Sequence, residues 1–145
     1  MAKKETASAL HEQGYACSQA VLATFADDLG IDKETAYKIS ATFGGGIGRT
    51  GETCGALTGA IMVLGLKYGS AELPDDLSKK ELYETVSYFL DEFKEKHSTT
   101  LCKDLLGYDI SIPEEYEKVK ENGISNKKCP VFISDAVEIL EDMLI

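Results

Sequence analysis

The segment from Ala56 to Tyr68 constrains the fold more than any other part of the chain, because it is apolar around nearly the whole circumference of a helix. Its large and small apolar residues include Leu57, Ala60, Ile61, Met62, Val63, Leu64 and Leu66. A helix without a polar face has to be surrounded by protein. We therefore predict an all-α, single-domain bundle around a buried central helix at about residues 54–68.

Small residues recur every four positions in this segment, as Gly55 with Gly59 and as Ala56 with Ala60. Residues four apart lie on the same face of a helix. The pattern predicts that neighbouring helices approach the backbone of the central helix closely.

The rest of the chain also has helical periodicity. We predict one helix that ends near Gly30 and a second that has Asp32 as its N-cap. A third begins at Ser78, with Glu81 completing a capping box. Further predicted elements are a helical turn at Cys102–Leu106, a helix from Pro113 to Asn122, and a last helix that Pro130 opens. The predicted helix that begins at Ser78 is long and carries an apolar stripe of Leu82, Val86, Phe89, Leu90 and Phe93.

Length and charge exclude several classes of protein. The 145 residues fit one domain, residues 1–145, and contain no apolar run of about 20 residues that would span a membrane. A formal charge of −10 argues against binding to nucleic acid or to anionic membranes, because both require basic patches. The N-terminal residues have no apolar signal core, so we expect a cytoplasmic protein.

The glycines at 46, 48 and 51 spell the dinucleotide-binding string G-x-G-x-x-G. That motif requires a strand before it and a helix and second strand after it. Only about nine residues separate this loop from the next apolar run, which is too short for a β-α-β crossover. We therefore reject nucleotide binding.

The four cysteines, Cys17, Cys54, Cys102 and Cys129, carry the chemistry that the sequence suggests. None forms a CxxC pair, so the spacings of zinc ribbons and thioredoxins are absent. Each is predicted to lie at the N-terminus of a helix, where free backbone N–H groups and the helix dipole favour a thiolate. We therefore interpret the four thiols as functional rather than as inert core residues.

Cys54 is expected to be the most reactive thiol, with a lowered pKa, and Cys17 is its expected partner. The preceding loop, with Gly45 and Gly46, would let a bound cofactor approach the backbone closely. Arg49, the only arginine, is predicted either to place a positive charge near a thiolate or to be an ordinary surface residue. The two histidines, His11 and His97, lie in polar stretches and are predicted to be solvated.

The sequence Cys54-Gly55-Ala56-Leu57-Thr58-Gly59, with one cysteine upstream and two downstream, resembles the redox-active family defined by the pattern C…GCAxxG…C…C. The likeness extends to the segments around Cys17, Cys102 and Cys129. This resemblance implies a compact helical protein with redox-active or metal-binding cysteines. It also implies a redox partner protein or an association with transporters.

Three functions remain open on this evidence. The thiols form a dithiol/disulfide couple, or all four bind an iron–sulfur cluster or zinc, or they are packing residues of a non-enzymatic partner-binding bundle. The sequence leaves open whether the chain is an enzyme and whether it forms a homodimer.

Overall fold

In the computed structural model, which describes residues 2–144, the chain forms eight α-helices and no strand. The all-α class is as predicted. None of these helices is both long enough and apolar enough to cross a bilayer. Two 3₁₀ turns follow the second and third helices, at Asp27–Leu29 and Ala41–Phe43. The α-helices are α1 (Lys3–Gln13), α2 (Cys17–Ala26), α3 (Lys33–Ser40), α4 (Gly55–Tyr68), α5 (Asp76–His97), α6 (Cys102–Leu106), α7 (Pro113–Glu121) and α8 (Ile124–Met143).

Helix α4 is the central element, and it packs most extensively against α2 and also against α8 and α5. Leu57, Val63 and Leu64 are fully buried in the core that these helices share. The last turn is different, because Leu66 is 37% exposed and Tyr68 is 45% exposed. The predicted burial is therefore confirmed for the body of α4 and wrong for its last turn.

The glycine face of α4 lies directly against the start of α2. A Cβ atom on Gly59 would lie 2.7 Å from the carbonyl oxygen of Ser18, and one on Gly55 would lie 2.9 Å from the Ser18 nitrogen. The fully buried Ser18 hydroxyl donates a hydrogen bond of 2.8 Å to the carbonyl of Ser40 at the end of α3. The predicted close approach is confirmed, and it fixes α2 between α3 and α4.

Two predicted helix starts are wrong, although Asp32 caps α3 as predicted. Asp75 rather than Ser78 caps α5, and its carboxylate accepts a hydrogen bond of 2.7 Å from the Ser78 N–H. Helix α8 begins at Ile124, so Pro130 lies inside it rather than at its start. A proline inside a helix removes one backbone donor. The helix nevertheless continues, and the side chains after the proline, including Phe132 and Ile133, are buried in the core.

Two glycine-to-alanine substitutions in α4 test the close packing. Gly59→Ala should destabilise the fold by about 1–3 kcal/mol, because the new methyl group overpacks the contact with Ser18. Gly65→Ala is the matched control, since no atom lies within 4 Å of its Cβ position. It should stabilise the fold by up to about 1 kcal/mol through helix propensity. Denaturant unfolding followed by circular dichroism measures both, and equal midpoints would contradict the packing argument.

Candidate functional site

All four cysteines border one cavity of about 130 Å³. The cavity is comparable to one of roughly 150 Å³ that accommodates benzene in another protein. Its remaining walls combine glycine backbone with apolar and polar side chains: His11, Ala16, Gly45, Gly46, Gly55, Leu105, Leu106, Ile110, Ser125 and Phe132. The fold thus brings to one site cysteines that are far apart in the sequence, and all four thiols are free.

Cys17 is the first residue of α2, and the contacts of this helix hold it at the cavity. The Gln19 side chain accepts a hydrogen bond of 3.0 Å from the N–H of Ala16. The Gln19 amide also donates a hydrogen bond of 3.0 Å to the Tyr37 carbonyl in α3. These contacts, with the Ser18 bond to α3, fix the residues on both sides of Cys17.

Cys54 and Cys102 are placed together by a short pairing of two loop segments. The Cys54 N–H donates a hydrogen bond of 2.8 Å to the Thr100 carbonyl, and the Cys102 N–H donates one of 2.6 Å to the Glu52 carbonyl. An isolated antiparallel bridge joins Thr53 to Leu101 between them. As predicted, Cys54 directly precedes α4 and Cys102 begins α6.

Cys129 lies inside α8, five residues after Ile124, so the prediction that it occupies a helix N-terminus is wrong. The Pro130 signal for a helix start is misleading here, because Gly123 starts the helix earlier, with φ of 61°. The neighbouring Lys128 ammonium donates a hydrogen bond of 3.1 Å to the Leu106 carbonyl, which ties α8 to the end of α6.

The glycine loop forms a left-handed turn over residues 45–49, where five consecutive residues have φ between 61° and 69°. L-amino acids normally adopt this conformation singly, at a penalty of about 1–2 kcal/mol per residue. Gly46 needs to be glycine for a second reason, because its Cβ would lie 2.7 Å from that of Cys102. The turn therefore brings bare backbone to the cavity wall at Gly45 and Gly46.

Arg49 does not border the cavity. It is exposed, and its guanidinium lies 4.2 Å from the ring centroid of Tyr116 in α7. Of the two predictions for Arg49, a charge near a thiolate or a surface residue, the second describes its position. Stacking on Tyr116 attaches the strained turn to α7.

Burial governs the pKa values of Cys54 and Cys102. It raises the pKa of each to about 12, and for Cys102 the negative charge of Cys129 adds to the effect. The N–H groups of Ala56 and Leu57 favour the Cys54 thiolate, as the helix-terminus argument expects, but loss of hydration outweighs them. The prediction of a lowered pKa for Cys54 is therefore wrong.

Cys129 has the opposite shift. Hydrogen bonding with the Cys17 thiol lowers the pKa of Cys129 most strongly, and His11 and Ser125 lower it further against the effect of burial. The same interaction raises the pKa of Cys17. Of the two thiols, Cys129 is therefore the one that the site favours as a thiolate.

Both histidines differ from the predicted solvated state. A ring nitrogen of His11 and the sulfurs of Cys17 and Cys129 lie within 4.8 Å of one another. The Nε2 atom of His97 lies 2.6 Å from a carboxylate oxygen of Asp135, and the His97 side chain is only 16% exposed. One feature of the sequence indicates that His11 faces inward. It follows Ala7 by four residues, so both lie on the same face of α1, and Ala7 is fully buried.

These observations define an all-helical protein with four free thiols around one cavity, two of them in a close pair. The chain belongs to the family described as "Putative redox-active protein (C_GCAxxG_C_C)", whose model matches residues 15–143. The matched segment contains all four cysteines but not His11. A search of curated proteins found no match, and a search of solved structures found none.

Two alanine substitutions in the left-handed turn separate crowding against Cys102 and the Glu52 backbone from backbone strain. Gly46 and Gly48 both have positive φ, but a Cβ on Gly48 meets only the Thr42 carbonyl, at 3.9 Å. Gly46→Ala should therefore destabilise the fold by about 1–3 kcal/mol more than Gly48→Ala. Chemical denaturation measures the difference, and equal losses of stability would show that only strain matters.

The pH dependence of alkylation tests which thiol is ionised. An ordinary thiol has a pKa of about 8.5, so its alkylation rate falls steadily as the pH drops below that value. Because its pKa is lowered, Cys129 should keep its full rate at pH 7 and lose it only at more acidic pH. Cys54 and Cys102 should stay unmodified at pH 7.

The alkylation rate of each cysteine is measured by peptide mass spectrometry on metal-free, reduced protein. Cys17→Ala should move the midpoint for Cys129 to higher pH, because it removes the main hydrogen-bonding partner. A midpoint at or above about 8.5 for Cys129 in the unmodified sequence would refute the assignment.

Proposed function

We propose that the protein is a dithiol/disulfide redox protein in which Cys17 and Cys129 form the electron-exchanging pair. The observation that carries this proposal is the proximity of the two sulfurs, within 4.8 Å, at the wall of a cavity. A disulfide has an S–S distance of about 2.05 Å, so in this proposal the two side chains move together as the bond forms. Membership of a family described as redox-active supports the same function.

The pair reduces a substrate disulfide in two steps. The Cys129 thiolate attacks one substrate sulfur, the substrate S–S bond breaks, and a mixed disulfide with Cys129 forms. The leaving thiolate takes the proton of the Cys17 thiol. The Cys17 thiolate then attacks Cys129 Sγ, which forms the Cys17–Cys129 disulfide and releases the second substrate thiolate. Two electrons pass from the protein sulfurs to the substrate.

The neighbouring groups prepare Cys129 for the first step. His11 and Ser125 stabilise the thiolate before the substrate arrives, and the Cys17 thiol holds the proton that the leaving group needs. Cys54 and Cys102 remain protonated because they are buried. They contribute neutral, polarisable walls to the cavity in this function.

A second candidate function is binding of an iron–sulfur cluster or zinc by all four cysteines. It is favoured by the convergence of all four on one cavity, where Gly45, Gly46 and Gly55 leave space free of side chains. Four cysteine thiolates are the usual ligands of [2Fe–2S] and [4Fe–4S] clusters. A metal ion would also deprotonate Cys54 and Cys102 despite their burial.

Oxidation of reduced, metal-free protein with a small disulfide distinguishes the candidates. We expect peptide mapping to find a Cys17–Cys129 disulfide first. Cys17→Ser should stop the reaction at a mixed disulfide on Cys129, whereas the matched variant Cys102→Ser should still form the Cys17–Cys129 bridge. A first bridge between Cys54 and Cys102, or no bridge, would overturn the proposal. Iron and sulfide in anaerobically purified protein would favour the second candidate.

A further inference from the structure

A second kind of chemistry is suggested by the position of His11. Its ring nitrogen and the sulfurs of Cys17 and Cys129 are mutually within 4.8 Å, and the three residues come from α1, α2 and α8. We infer that these residues form a three-ligand site for a single zinc ion, distinct from a site made by the four cysteines.

The spacing suits a tetrahedral ion. Zinc binds thiolate sulfur at about 2.3 Å and imidazole nitrogen at about 2.0–2.1 Å, so tetrahedral ligand atoms lie about 3.3–3.8 Å apart. The three groups reach this spacing by small side-chain movements toward a common centre. Structural zinc sites have four protein ligands, whereas three protein ligands with one open position are typical of reactive zinc sites.

The chemistry of the three ligands also suits zinc. Thiolate and imidazole are soft to borderline donors that zinc prefers to calcium or magnesium. Two thiolates neutralise the charge of the ion, which matters because Cys129 is only 8% exposed and an unbalanced buried charge is costly. The fourth coordination position faces the cavity, where a water or a small ligand would complete the tetrahedron.

His11 distinguishes this site from the four-cysteine alternative. Cys54 and Cys102 border the same cavity but do not belong to the close His11–Cys17–Cys129 group. His11 lies outside residues 15–143, the segment that the family model matches. The site therefore goes beyond the redox function proposed above, and either one can fail without the other.

Titration of reduced, chelator-treated full-length protein with Zn²⁺, and with Co²⁺ as a spectroscopic substitute, tests the site. We expect one ion per chain and a tetrahedral cobalt spectrum whose thiolate-to-metal band corresponds to two sulfur ligands. Bound zinc should also protect Cys17 and Cys129 from alkylation. A band that corresponds to four sulfur ligands, or no saturable binding, would overturn the inference.

The two histidines provide a matched pair of variants. His11→Gln should weaken zinc binding at least ~10-fold, since loss of a supporting residue alone typically has that effect. His97→Gln should leave the affinity unchanged, because His97 pairs with Asp135 outside the cavity wall. Equal effects of both variants, or loss of binding in Cys54→Ser with no effect of His11→Gln, would assign the ion elsewhere. Zinc binding without any disulfide formation would support this site and refute the redox proposal.

Discussion

The contact between the start of α2 and the glycine face of α4 is the constraint on which the site depends. Gly55 and Gly59 have no side chains, so the backbone of Ser18 lies where their Cβ atoms would be. This approach brings Cys17 beside the first turn of α4, next to Cys54. Ser18 also binds the end of α3, from which a 3₁₀ turn leads to the glycine loop, so one buried residue holds α2 against both α3 and α4.

Competition between loss of hydration and hydrogen bonding decides which of the four thiols at the cavity is favoured as a thiolate. Four thiols in one water-poor space cannot all ionise, because like charges and burial both oppose it. Helix N-termini alone do not overcome this penalty, as Cys54 shows. Cys129 is favoured because interactions with Cys17, His11 and Ser125 lower its pKa against the effect of burial. Position within a polar side-chain cluster therefore matters more here than position at a helix end.

Periodicity and glycine placement were sufficient to predict the helical class, the body of α4 and a close approach of a neighbouring helix, which the structure identifies as α2. These features depend on local sequence and on the need to bury an apolar surface. The site was predicted less completely, because His11 and Ser125 act through neighbours that are distant in the chain. Pro130 is an example of a local signal that tertiary packing overrides, since α8 runs through it. The lowered pKa of Cys129 depends on contacts that no spacing in the sequence shows.

Because His11 belongs to α1, the chemistry of the cavity depends on how this helix is docked. Of the residues in α1, only Ala7 is buried, and the ion pairs of Lys3 with Asp28 and Lys4 with Glu138 are solvent-accessible. Leu10 of the same helix nevertheless packs against the core, and α1 contacts both α2 and α8, the helices that carry Cys17 and Cys129. One docked helix therefore supplies the histidine and rests on the two elements that supply the thiols. A substitution that loosens α1 would change the polarity around Cys129 without altering a single cysteine.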